Sequence, residues 1–440
     1  MRFRLLLGVL LTSAAATAAG ILADYASPVF DAQHQVNAAA TLDRVAELHA
    51  GTYFVLIHSE ADWERLKTDF LPAAVKRKLD IWTYFVPPSE CPATCKLPFD
   101  KDYIRIAAGV AELSLKFPNL KGLAIDDFMD NTKLYTPEYV GRMRDAGRAI
   151  NPKFQFFPLL YWRSMNPSVL DQYGPVIDGV IFAYRDEPTI NTHRASSLRA
   201  QLTQAEDMLR DRGKALILMI YCAPLGRIPI PPGVDYVKET IGMGVSDVNA
   251  GKLAGVVTYV LNKSGPAPAA QNYAHSGNGR ATLLASGTGM KVGDYAELAS
   301  PITTATTSVS FWRTAYYSKL PPGYFFLQLL ADDKVLWEQD VATFESNVWK
   351  QEHVEAAASA GSTIHVRLAV KKNTGSIALV VGLDDLSGIS VADPGFENAA
   401  AWKPAQTMPA LMPLVQIFDP QRPIQMYEAV RALYGAAPNR

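Results

Sequence analysis

The sequence predicts an α/β protein with a (β/α)8 TIM barrel followed by a smaller, jelly-roll-like antiparallel β-sandwich. Short apolar runs alternate with amphipathic helical stretches between residues 40 and 263, which is the order of elements that such a barrel needs. These runs lack polar alternation, as expected of strands that are buried on both faces. After residue 263 the runs become short and alternate in polarity, which is typical of antiparallel strands.

The first 22 residues have the layout of a secretory signal peptide. Arg2 and Arg4 give a positive start, residues 5–11 are apolar, and Ala16-Thr17-Ala18 is a small-x-small cleavage site. We therefore expect a secreted or periplasmic protein. An uncleaved anchor is the alternative, because the apolar run continues to residue 22. No later stretch reaches the roughly 18 apolar residues of a transmembrane helix, so no integral membrane segment is expected after removal of the leader.

The barrel domain is predicted to span residues 23–264. Apolar runs predict seven strands at 53–57, 81–86, 120–125, 154–161, 179–184, 215–221 and 253–260, and an eighth at 27–30 completes the set. Amphipathic stretches predict helices at 41–48, 61–78, 102–117, 136–150, 194–212 and 234–250. An open doubly wound sheet is the alternative, but no glycine-rich phosphate loop follows an early strand.

A linker rich in Pro, Ala and Gly at 265–277 leads into the predicted sandwich domain at 278–405. Its predicted strands lie at 308–312, 324–330, 334–339, 363–370 and 377–383, with Pro-Pro-Gly and Asp-Asp turns between them. Residues 406–440 are predicted to form a C-terminal extension. Within it, a helix at 423–434 can pack back onto the barrel.

The composition argues against a nucleic-acid-binding protein and against a disordered protein. The chain of 440 residues carries 42 Lys and Arg against 43 Asp and Glu, a net charge of -1, which argues against nucleic acid as a partner. With 49% hydrophobic and 19% charged residues, general disorder is not expected. The length suggests two domains.

Three cysteines occur in the sequence. Cys91 and Cys95 lie four residues apart, and in an exported protein such a pair indicates a short-loop disulfide. A zinc site is the alternative, but it needs two more ligands close by. Cys222 lies in an apolar run and is interpreted as a small buried hydrophobic residue.

Polar and aromatic residues that end the predicted strands are the candidates for a functional site, because barrel active sites lie at the carboxyl ends of the strands. In chain order they are His58, Tyr84, Glu90, Asp126, Asp127, Tyr161, Trp162, Arg163, Tyr184, Arg185, Asp186, Glu187, Tyr221, Tyr259 and Asn262. Paired carboxylates are what glycoside hydrolysis requires, one as acid and the other as nucleophile or base. Aromatic rings can stack on sugars, and Arg or Asn can bind their hydroxyls.

The clearest of these motifs is an apolar strand that ends in Asp126 and Asp127. Because side chains alternate along a strand, the two acids are expected to point in different directions. Asp126 lies on the same side of the strand as Gly122 and Ala124, small residues that suit a crowded barrel interior. The alternation of side chains therefore favours Asp126 as the acid in the cleft. Strand ends bend, and both acids remain candidates. A helix cap or a surface ion pair is the structural alternative.

The other candidates also have structural alternatives. Arg185 can simply neutralise Asp186 or Glu187. Glu90 lies beside the predicted disulfide, which would stiffen its loop. Each strand-end aromatic residue can be part of the core, although Trp162 and Tyr84 stand out beside the acids. His58 is a lone histidine.

Several motifs together resemble a known class. The run 121–128, followed by Tyr135-Thr136-Pro137-Glu138-Tyr139 and by 178–187, resembles bacterial exported proteins with a glycoside-hydrolase-like TIM barrel, over residues 27 to 263. Acids after strands four and six are similar to those of α-galactosidase-type retaining enzymes, where the first is the nucleophile and the second the acid/base. The chain lacks their Lys-x-Asp-x-Cys pattern, so these roles are analogy.

The C-terminal region also carries a resemblance. Asp384-Asp385-Leu386, the run 393–398 and Trp402 are similar to a junction motif of accessory carbohydrate-binding sandwiches. The resemblance implies a carbohydrate partner.

The sequence thus predicts an exported glycoside hydrolase that acts on a poly- or oligosaccharide, with no cofactor and no metal site. Asp126 or Asp127 is expected to be nucleophile or base, and Asp186 or Glu187 the general acid. Burial among Tyr and Trp can raise the pKa of one acid. The alternatives are a non-catalytic glycan-binding protein of the cell envelope and a metal-assisted deacetylase. The deacetylase would use Asp126, Asp127 and His58, but no HxxxH-type spacing supports it.

Overall fold

The structure, a computed structural model, describes residues 20–91, 95–187, 189, 191–225 and 229–437. Eight parallel strands close into a barrel in chain order, which confirms the predicted TIM barrel. The barrel strands are β1 Ile21–Tyr25, β2 Thr52–Ile57, β3 Asp80–Phe85, β4 Leu120–Ile125, β5 Gln155–Leu160, β6 Gly179–Tyr184, β7 Ala215–Tyr221 and β8 Gly255–Tyr259.

Helices connect the strands and cover the barrel. They are α1 Ala38–Glu47, α2 Glu60–Arg65, α3 Leu71–Arg77, α4 Tyr103–Lys116, α5 Pro137–Ile150, α6 Pro167–Tyr173, α7 Leu198–Arg210 and α8 Val234–Asn249. Side chains of Asn37, Ser59, Asp102 and Thr136 accept hydrogen bonds from first-turn N–H groups, which favours helix initiation at those points. Among the described helices, none has the length and apolar character needed to span a bilayer.

The first strand is the main departure from the predicted barrel. β1 pairs with both β2 and β8, so the prediction of a strand at 27–30 is wrong. Ala26 and Ser27 have φ angles of 56° and 48°, and this left-handed backbone ends the strand. The first two residues of β1, assigned to the leader by the sequence pattern, therefore belong to the barrel. Residues 1–19 of the predicted leader lie outside the described residues.

Aromatic side chains pack the barrel interior. The ring centroid of Trp82 lies 5.5 Å from that of Phe54 and 5.0 Å from that of Phe157. Glycines make the necessary room: a Cβ atom at Gly122 would lie 2.9 Å from Trp82, and one at Gly179 would lie 2.5 Å from Phe157. The barrel is a filled core, so a ligand site belongs above it, at the strand ends.

A buried ion pair links the ends of the barrel sheet. Lys263 Nζ lies 2.6 Å from Asp24 Oδ2, and both side chains are fully buried. The ammonium also donates to the carbonyl groups of Ala26 and Leu261, each at 2.9 Å. Thr258 donates its hydroxyl to the other Asp24 oxygen at 2.6 Å. All three donors of the Lys263 ammonium are thereby used inside the protein.

The C-terminal region contains ten strands, β9 Gly279–Gly287, β10 Tyr295–Pro301, β11 Thr306–Tyr317, β12 Phe325–Ala331, β13 Lys334–Asp340, β14 Lys350–Ala358, β15 Thr363–Val370, β16 Ile377–Ser387, β17 Lys403–Gln406 and β18 Leu411–Ile417. They form two antiparallel sheets, in the orders β13-β12-β15-β10-β17 and β14-β11-β16-β9-β18, which confirms the predicted sandwich. The sequence-based prediction missed β9, β10, β14, β17 and β18.

The C-terminal extension is shorter than predicted, because β18 lies within 406–440 and belongs to a sheet of the sandwich. The helix that follows, α9 Arg422–Gly435, packs on the barrel. Its Tyr427 donates to the carbonyl of Arg44 at 2.6 Å, and its Tyr434 donates to the carbonyl of Ala23 at 2.9 Å.

The sandwich docks on the loop that follows β7. Ile230 of that loop packs against Leu284, Val380 and Met412 on the outer face of the second sheet. The side-chain amide of Gln416 donates to the carbonyl of Pro229 at 2.9 Å. Since loops that follow barrel strands lie at the carboxyl-terminal mouth, the sandwich stands beside that mouth.

The junction motif has a structural role inside the sandwich. The carboxylate of Asp393 accepts hydrogen bonds from the N–H groups of Glu397 and Asn398. The rings of Phe396 and Trp402 stack at 4.5 Å between centroids and are buried. The motif therefore closes the core of the sandwich.

Candidate active site

Three carboxyl groups meet at the ends of β3 and β4, and we call Glu90, Asp126 and Asp127 the acid cluster. Asp126 is buried, Asp127 is half-buried and Glu90 is exposed at the rim. The negative charges of Asp127 and Glu90 both act on Asp126, and Glu90 forms a side-chain hydrogen bond with Asp127. Sequence analysis placed all three at strand ends but assigned Glu90 to substrate binding.

The backbone explains why two neighbouring acids share one site. Asp126 follows the inward-facing Ala124, as parity predicts, whereas Leu123 and Ile125 belong to the outer core. Asp127 has φ 37° and ψ 42°, the left-handed conformation. This turn leaves Asp127 in contact with Tyr161 and Glu90, so both acids belong to one site although they are neighbours in sequence. Left-handed backbone at a non-glycine residue is costly, and such strain clusters at functional sites.

Burial gives Asp126 unusual acid–base behaviour. Only 7% of its surface is exposed. Burial, together with the negative charges of Asp127 and Glu90, raises the pKa of Asp126 to about 8. The N–H of Asp127 donates to Asp126 Oδ1 at 2.9 Å, which orients the carboxyl group. Asp126 is therefore a protonated acid at neutral pH.

Asp127 is the hydrogen-bond acceptor of the cluster. Tyr161 donates its hydroxyl to Asp127 Oδ1 at 2.6 Å. Desolvation, the charge of Asp127 and the hydrogen bond between the two carboxyl groups raise the pKa of Glu90 to about 7. Below that pH, Glu90 holds a proton that it can donate to Asp127. Asp127 then accepts hydrogen bonds from two donors, Tyr161 and Glu90.

Five tyrosines surround the acid cluster, and we call Tyr25, Tyr84, Tyr161, Tyr221 and Tyr259 the tyrosine ring. They lie at or next to the carboxyl ends of β1, β3, β5, β7 and β8. Ring centroids are 4.3 Å apart for Tyr25 and Tyr84, 5.2 Å for Tyr25 and Tyr259, and 4.6 Å for Tyr221 and Tyr259. Burial, followed by neighbouring charge, raises the pKa of Tyr84 well above its ordinary value. The buried Tyr84 hydroxyl faces Asp126 and forms a side-chain hydrogen bond with its carboxyl group.

Arg185 borders the tyrosine ring at the end of β6. Its guanidinium carbon lies 3.5 Å above the ring centroid of Tyr161. Its Nη2 donates to Glu187 Oε1 at 2.9 Å. The guanidinium is thus held over the tyrosine that binds Asp127, and it brings positive charge to the edge of the acid cluster.

Asp186 does not lie in the acid cluster, which corrects its predicted role as general acid. Its carboxylate accepts six hydrogen bonds from a surrounding shell of Tyr184, Thr189, Asn191, Ser196 and Ser197. Burial opposes ionisation, but these hydrogen bonds outweigh it and lower the pKa of Asp186. This carboxylate anchors the start of α7. Because it is ionised at neutral pH, it cannot act as a general acid.

The carboxylate of Glu187 is also occupied by contacts within the protein. It is buried, forms the ion pair with Arg185, and accepts a hydrogen bond from the N–H of Arg163 at 2.8 Å. The prediction of a general acid at Glu187 is therefore corrected as well. Its carboxylate positions Arg185.

Several predicted substrate-binding residues lie elsewhere. The hydroxyl of Tyr184 bonds Asp186 on the outer side of the barrel, and Trp162 packs toward Phe182 of the outer core, 6.1 Å between centroids. Arg163 forms an exposed ion pair with Asp130, although its guanidinium carbon is 5.4 Å from the Tyr161 centroid.

The last two candidates lie at the ends of β2 and β8. His58 is exposed, and its ring bonds no residue that the structure describes. Asn262 accepts a hydrogen bond from the N–H of Ser264 and lines a smaller cavity of about 360 Å³ beside α9.

The predicted disulfide is confirmed next to the acid cluster. Cys91 and Cys95 are bonded, with their Cα atoms 5.2 Å apart. The bond constrains the segment that directly follows Glu90. Cys222 is a free, buried cysteine, as its apolar surroundings predicted. Within the described ranges, no group of three or more His, Cys, Asp or Glu side chains could hold a metal ion.

Sequence analysis missed Tyr25. It ends β1 and pairs in register with Tyr259, which in turn pairs with Tyr221. The alternation of Ala23, Asp24 and Tyr25 is an available signal at the start of the predicted barrel domain, but it directly follows the leader-like run and no strand was predicted there.

No family model and no curated protein sequence matches this chain. Solved structures similar to it include a glucosidase from Croceicoccus marinus, with 8% identity over 83% of this chain and 95% of that chain and a TM-score of 0.40. β-Glucuronidase 2 of Bacteroides uniformis has 8% identity over 83% and 65%, and a TM-score of 0.44. The chain thus spans less than two thirds of that protein. α-L-Arabinofuranosidase from Thermotoga maritima has 10% identity over 83% and 93%, and a TM-score of 0.38.

Proposed function

We propose that this protein is a glycoside hydrolase that cleaves a poly- or oligosaccharide at the mouth of its barrel. One observation carries the proposal: three carboxyl groups meet among five tyrosines, and the most buried of them, Asp126, keeps its proton at neutral pH. Glycoside hydrolysis needs a protonated acid and an ionised carboxylate in one cleft. The acid cluster offers both.

Asp126 has the properties of the general acid. A general acid donates a proton to the glycosidic oxygen of the leaving group. With a pKa of about 8, Asp126 stays protonated near pH 7 and can do so. Burial is the main cause of that shift.

Asp127 has the properties of the nucleophile or base. It accepts hydrogen bonds from Tyr161 and Glu90, and these hold the carboxylate in one orientation. Glu90, whose pKa is raised to about 7, supplies the proton of the hydrogen bond between the two carboxyl groups below about that pH. A carboxylate at this position would stabilise an oxocarbenium-like transition state electrostatically.

The surrounding groups can bind a sugar. The tyrosine ring presents aromatic surfaces on which sugar faces can stack. Arg185 adds a fixed cation at the edge of the cluster.

Single substitutions in the acid cluster test the proposal. We expect Asp126→Asn and Asp127→Asn each to reduce the release of reducing ends from a cleaved glycan by about 10²–10⁴-fold, because each removes an acid–base or nucleophilic group. Glu90→Gln keeps the hydrogen bond but removes ionisation, so a smaller loss and an altered pH profile are expected. Initial rates of reducing-sugar release provide the measurement.

Asp171→Asn is the matched control, since Asp171 forms an exposed ion pair with Arg212 on the outside of the barrel. It should retain wild-type activity. If Asp126→Asn and Asp127→Asn also do so, the assignment is wrong. Saturable glycan binding without new reducing ends would indicate the glycan-binding alternative, and loss of activity on chelation would indicate the metal-assisted deacetylase.

We also propose that the protein is exported to the periplasm or the medium. The leader-like composition of residues 1–18 and the Cys91–Cys95 disulfide support this, because disulfides persist in oxidising compartments. N-terminal sequencing of the protein from the producing cell is the test. A mature terminus between residues 19 and 21, which leaves β1 intact, is expected, and an intact Met1 would contradict removal of the leader.

A further inference from the structure

We propose that the β-sandwich forms the second wall of the substrate cleft, so that the substrate is a glycan chain of several sugar units that touches both domains. This inference rests on the proposed function and names the substrate class more narrowly. It also assigns a binding role to the second sheet of the sandwich and its adjoining loops.

A large cavity separates the barrel mouth from the sandwich. Its volume is about 1220 Å³, and it is lined by Arg185, Leu225 and Pro229 from the barrel and by residues such as Tyr316 and Tyr324 from the sandwich. Pockets for one drug-sized ligand have about 300–1,000 Å³. This cavity therefore has room for more than one sugar unit.

Arg185 connects this cavity to the acid cluster. It lines the cavity and at the same time stacks on Tyr161 at 3.5 Å. The hydroxyl of Tyr161 donates to Asp127. A sugar chain that is cleaved at the acid cluster would pass Arg185 and continue along the sandwich.

The sandwich wall is an aromatic surface with a fixed support. The rings of Tyr273 and Tyr316 meet edge to face, 6.1 Å between centroids, and both line the cavity. The fully buried Arg280 lies behind them, with its guanidinium carbon 5.6 Å and 5.3 Å from the two centroids. Gln416 accepts a hydrogen bond from Arg280 at 2.9 Å. Supported, half-exposed aromatic rings are surfaces on which sugar faces stack.

Polar groups accompany these rings. Lys319 lines the cavity, is exposed, and forms no ion pair with any residue that the structure describes. Asn347 lines the same wall. Free donors beside aromatic rings suit the hydroxyl or carboxylate groups of a glycan.

Hydrogen bonds between the barrel and the sandwich fix the distance between the two walls of the cleft. Gln416, which supports Arg280, also donates to Pro229 of the barrel loop. On the other side, Arg194 donates to Gln406 at 2.9 Å. The cleft is thus formed before a substrate arrives, which lowers the entropic cost of binding a flexible chain.

Binding as a function of chain length tests this inference. The full chain carrying Asp126→Asn is titrated by calorimetry with hexasaccharides of β-1,4-linked glucose, mannose, xylose and of galacturonic acid, and with the matching disaccharides. We expect at least one hexasaccharide to bind more than about tenfold tighter than its disaccharide. Tyr324→Ala and Lys319→Ala should each weaken hexasaccharide binding about tenfold and leave disaccharide binding within about twofold.

Tyr295→Ala is the matched control, because Tyr295 is a half-buried tyrosine of β10 that does not line the cavity. It should keep the preference for long chains. Lys319 is exposed, so its variant remains informative even if Tyr324→Ala does not fold.

The inference is overturned if no hexasaccharide binds better than its disaccharide, or if the preference survives both sandwich variants. Its failure can be told apart from that of the proposed function. Hydrolysis without dependence on chain length would overturn only the sandwich wall. Length-dependent binding that needs Tyr324 and Lys319, with no cleavage by the wild-type chain, would overturn only the hydrolase.

Discussion

Two buried aspartates, Asp126 and Asp186, illustrate how surroundings decide the chemistry of a carboxyl group. Both lie at strand ends with little exposed surface. Burial and the charges of two other acids outweigh the two hydrogen bonds that Asp126 forms with Tyr84 and the N–H of Asp127, so its proton is retained. Asp186 accepts six hydrogen bonds, so its proton is lost. The first is suited to proton transfer and the second to holding the structure together.

Asp126 should make folding stability depend on pH. Its folded-state pKa of about 8 exceeds the ordinary value of 3.8, so the folded chain holds this proton more tightly than the unfolded chain does. The stabilisation is complete at low pH and is lost as the pH rises through about 8. The Asp126→Asn variant cannot ionise at this position. We therefore expect its melting temperature to rise relative to that of wild type between pH 5 and pH 9. Scanning calorimetry at both pH values is the measurement, and a difference that does not change with pH would contradict this.

Asp186→Asn should have a structural effect. The pKa of Asp186 is lowered, so the ionised form stabilises the fold and this contribution disappears as the pH falls through that lowered value. At neutral pH the substitution should reduce the free energy of unfolding by about 2–3 kcal/mol, because buried donors lose a charged acceptor. Urea denaturation measures it, with Asp171→Asn as the control expected to change little. A catalytic loss without a loss of stability would restore Asp186 to the active site.

The candidate residues were only partly predictable from sequence. Adjacent acids after an apolar strand are a local pattern, so Asp126 and Asp127 were found. The partners of Asp186 include Ser196 and Ser197, which lie ten and eleven residues further along the chain. A local pattern carries no information on such contacts. Likewise, the left-handed turn at Asp127 follows from the way β4 leaves the barrel, which strand alternation does not describe.

At the scale of elements, packing between neighbouring strands requires small residues at fixed points. A Cβ atom at Gly122 of β4 would lie 2.5 Å from the Gln155 carbonyl oxygen and 2.9 Å from Trp82. Neither the backbone of β5 nor the packed indole ring can move away easily.

Gly122→Ala should therefore destabilise the barrel by about 2–3 kcal/mol, because overpacking forces strand and ring apart. Gly174→Ala is the matched control, since a Cβ atom there meets nothing within 4 Å. It should be neutral or slightly stabilising. Chemical denaturation of both variants provides the test, and equal stabilities would contradict the packing argument.

Long, uniformly apolar elements were predicted well, and short or mixed ones were not. Strands β2 to β8 are buried on both faces and have continuous apolar runs. β1 was missed because its first residues continue the apolar run of the leader. In the sandwich, β14 alternates between exposed and buried positions and contains Glu, His and Gln, so its sequence resembles a loop. Pairing with β11 makes it a strand, and pairing is a tertiary property.

At the scale of the whole molecule, the barrel depends on the junction between its first and last strands. The Asp24–Lys263 ion pair lies at this junction and is fully buried. Lys263→Met would leave the Asp24 carboxylate without its cation, and we expect a loss of about 3–5 kcal/mol in the free energy of unfolding. Adding Asp24→Asn should recover part of that loss. Thermal unfolding of the single and double variants measures it, and strictly additive losses would exclude coupling between the two sides of the junction.

The arrangement of domains was predictable in outline only. Near residue 263 the continuous apolar runs give way to runs of alternating polarity, and this change separates the barrel from the sandwich. The contacts that place the sandwich beside the barrel mouth, however, involve a few scattered residues such as Ile230 and Gln416. Such contacts depend on shape after folding. No sequence pattern indicates them.

The position of β1 has a practical consequence. Parallel strands all start at one end of the barrel, so the chain enters β1 at Gly20 on the end opposite the acid cluster. The last turn of α9 returns to that same end, where Gly435 lies against His49. An affinity tag, a display anchor or a solid support attached through either of these points would hold the molecule by its base and leave the opening free for a large polymer.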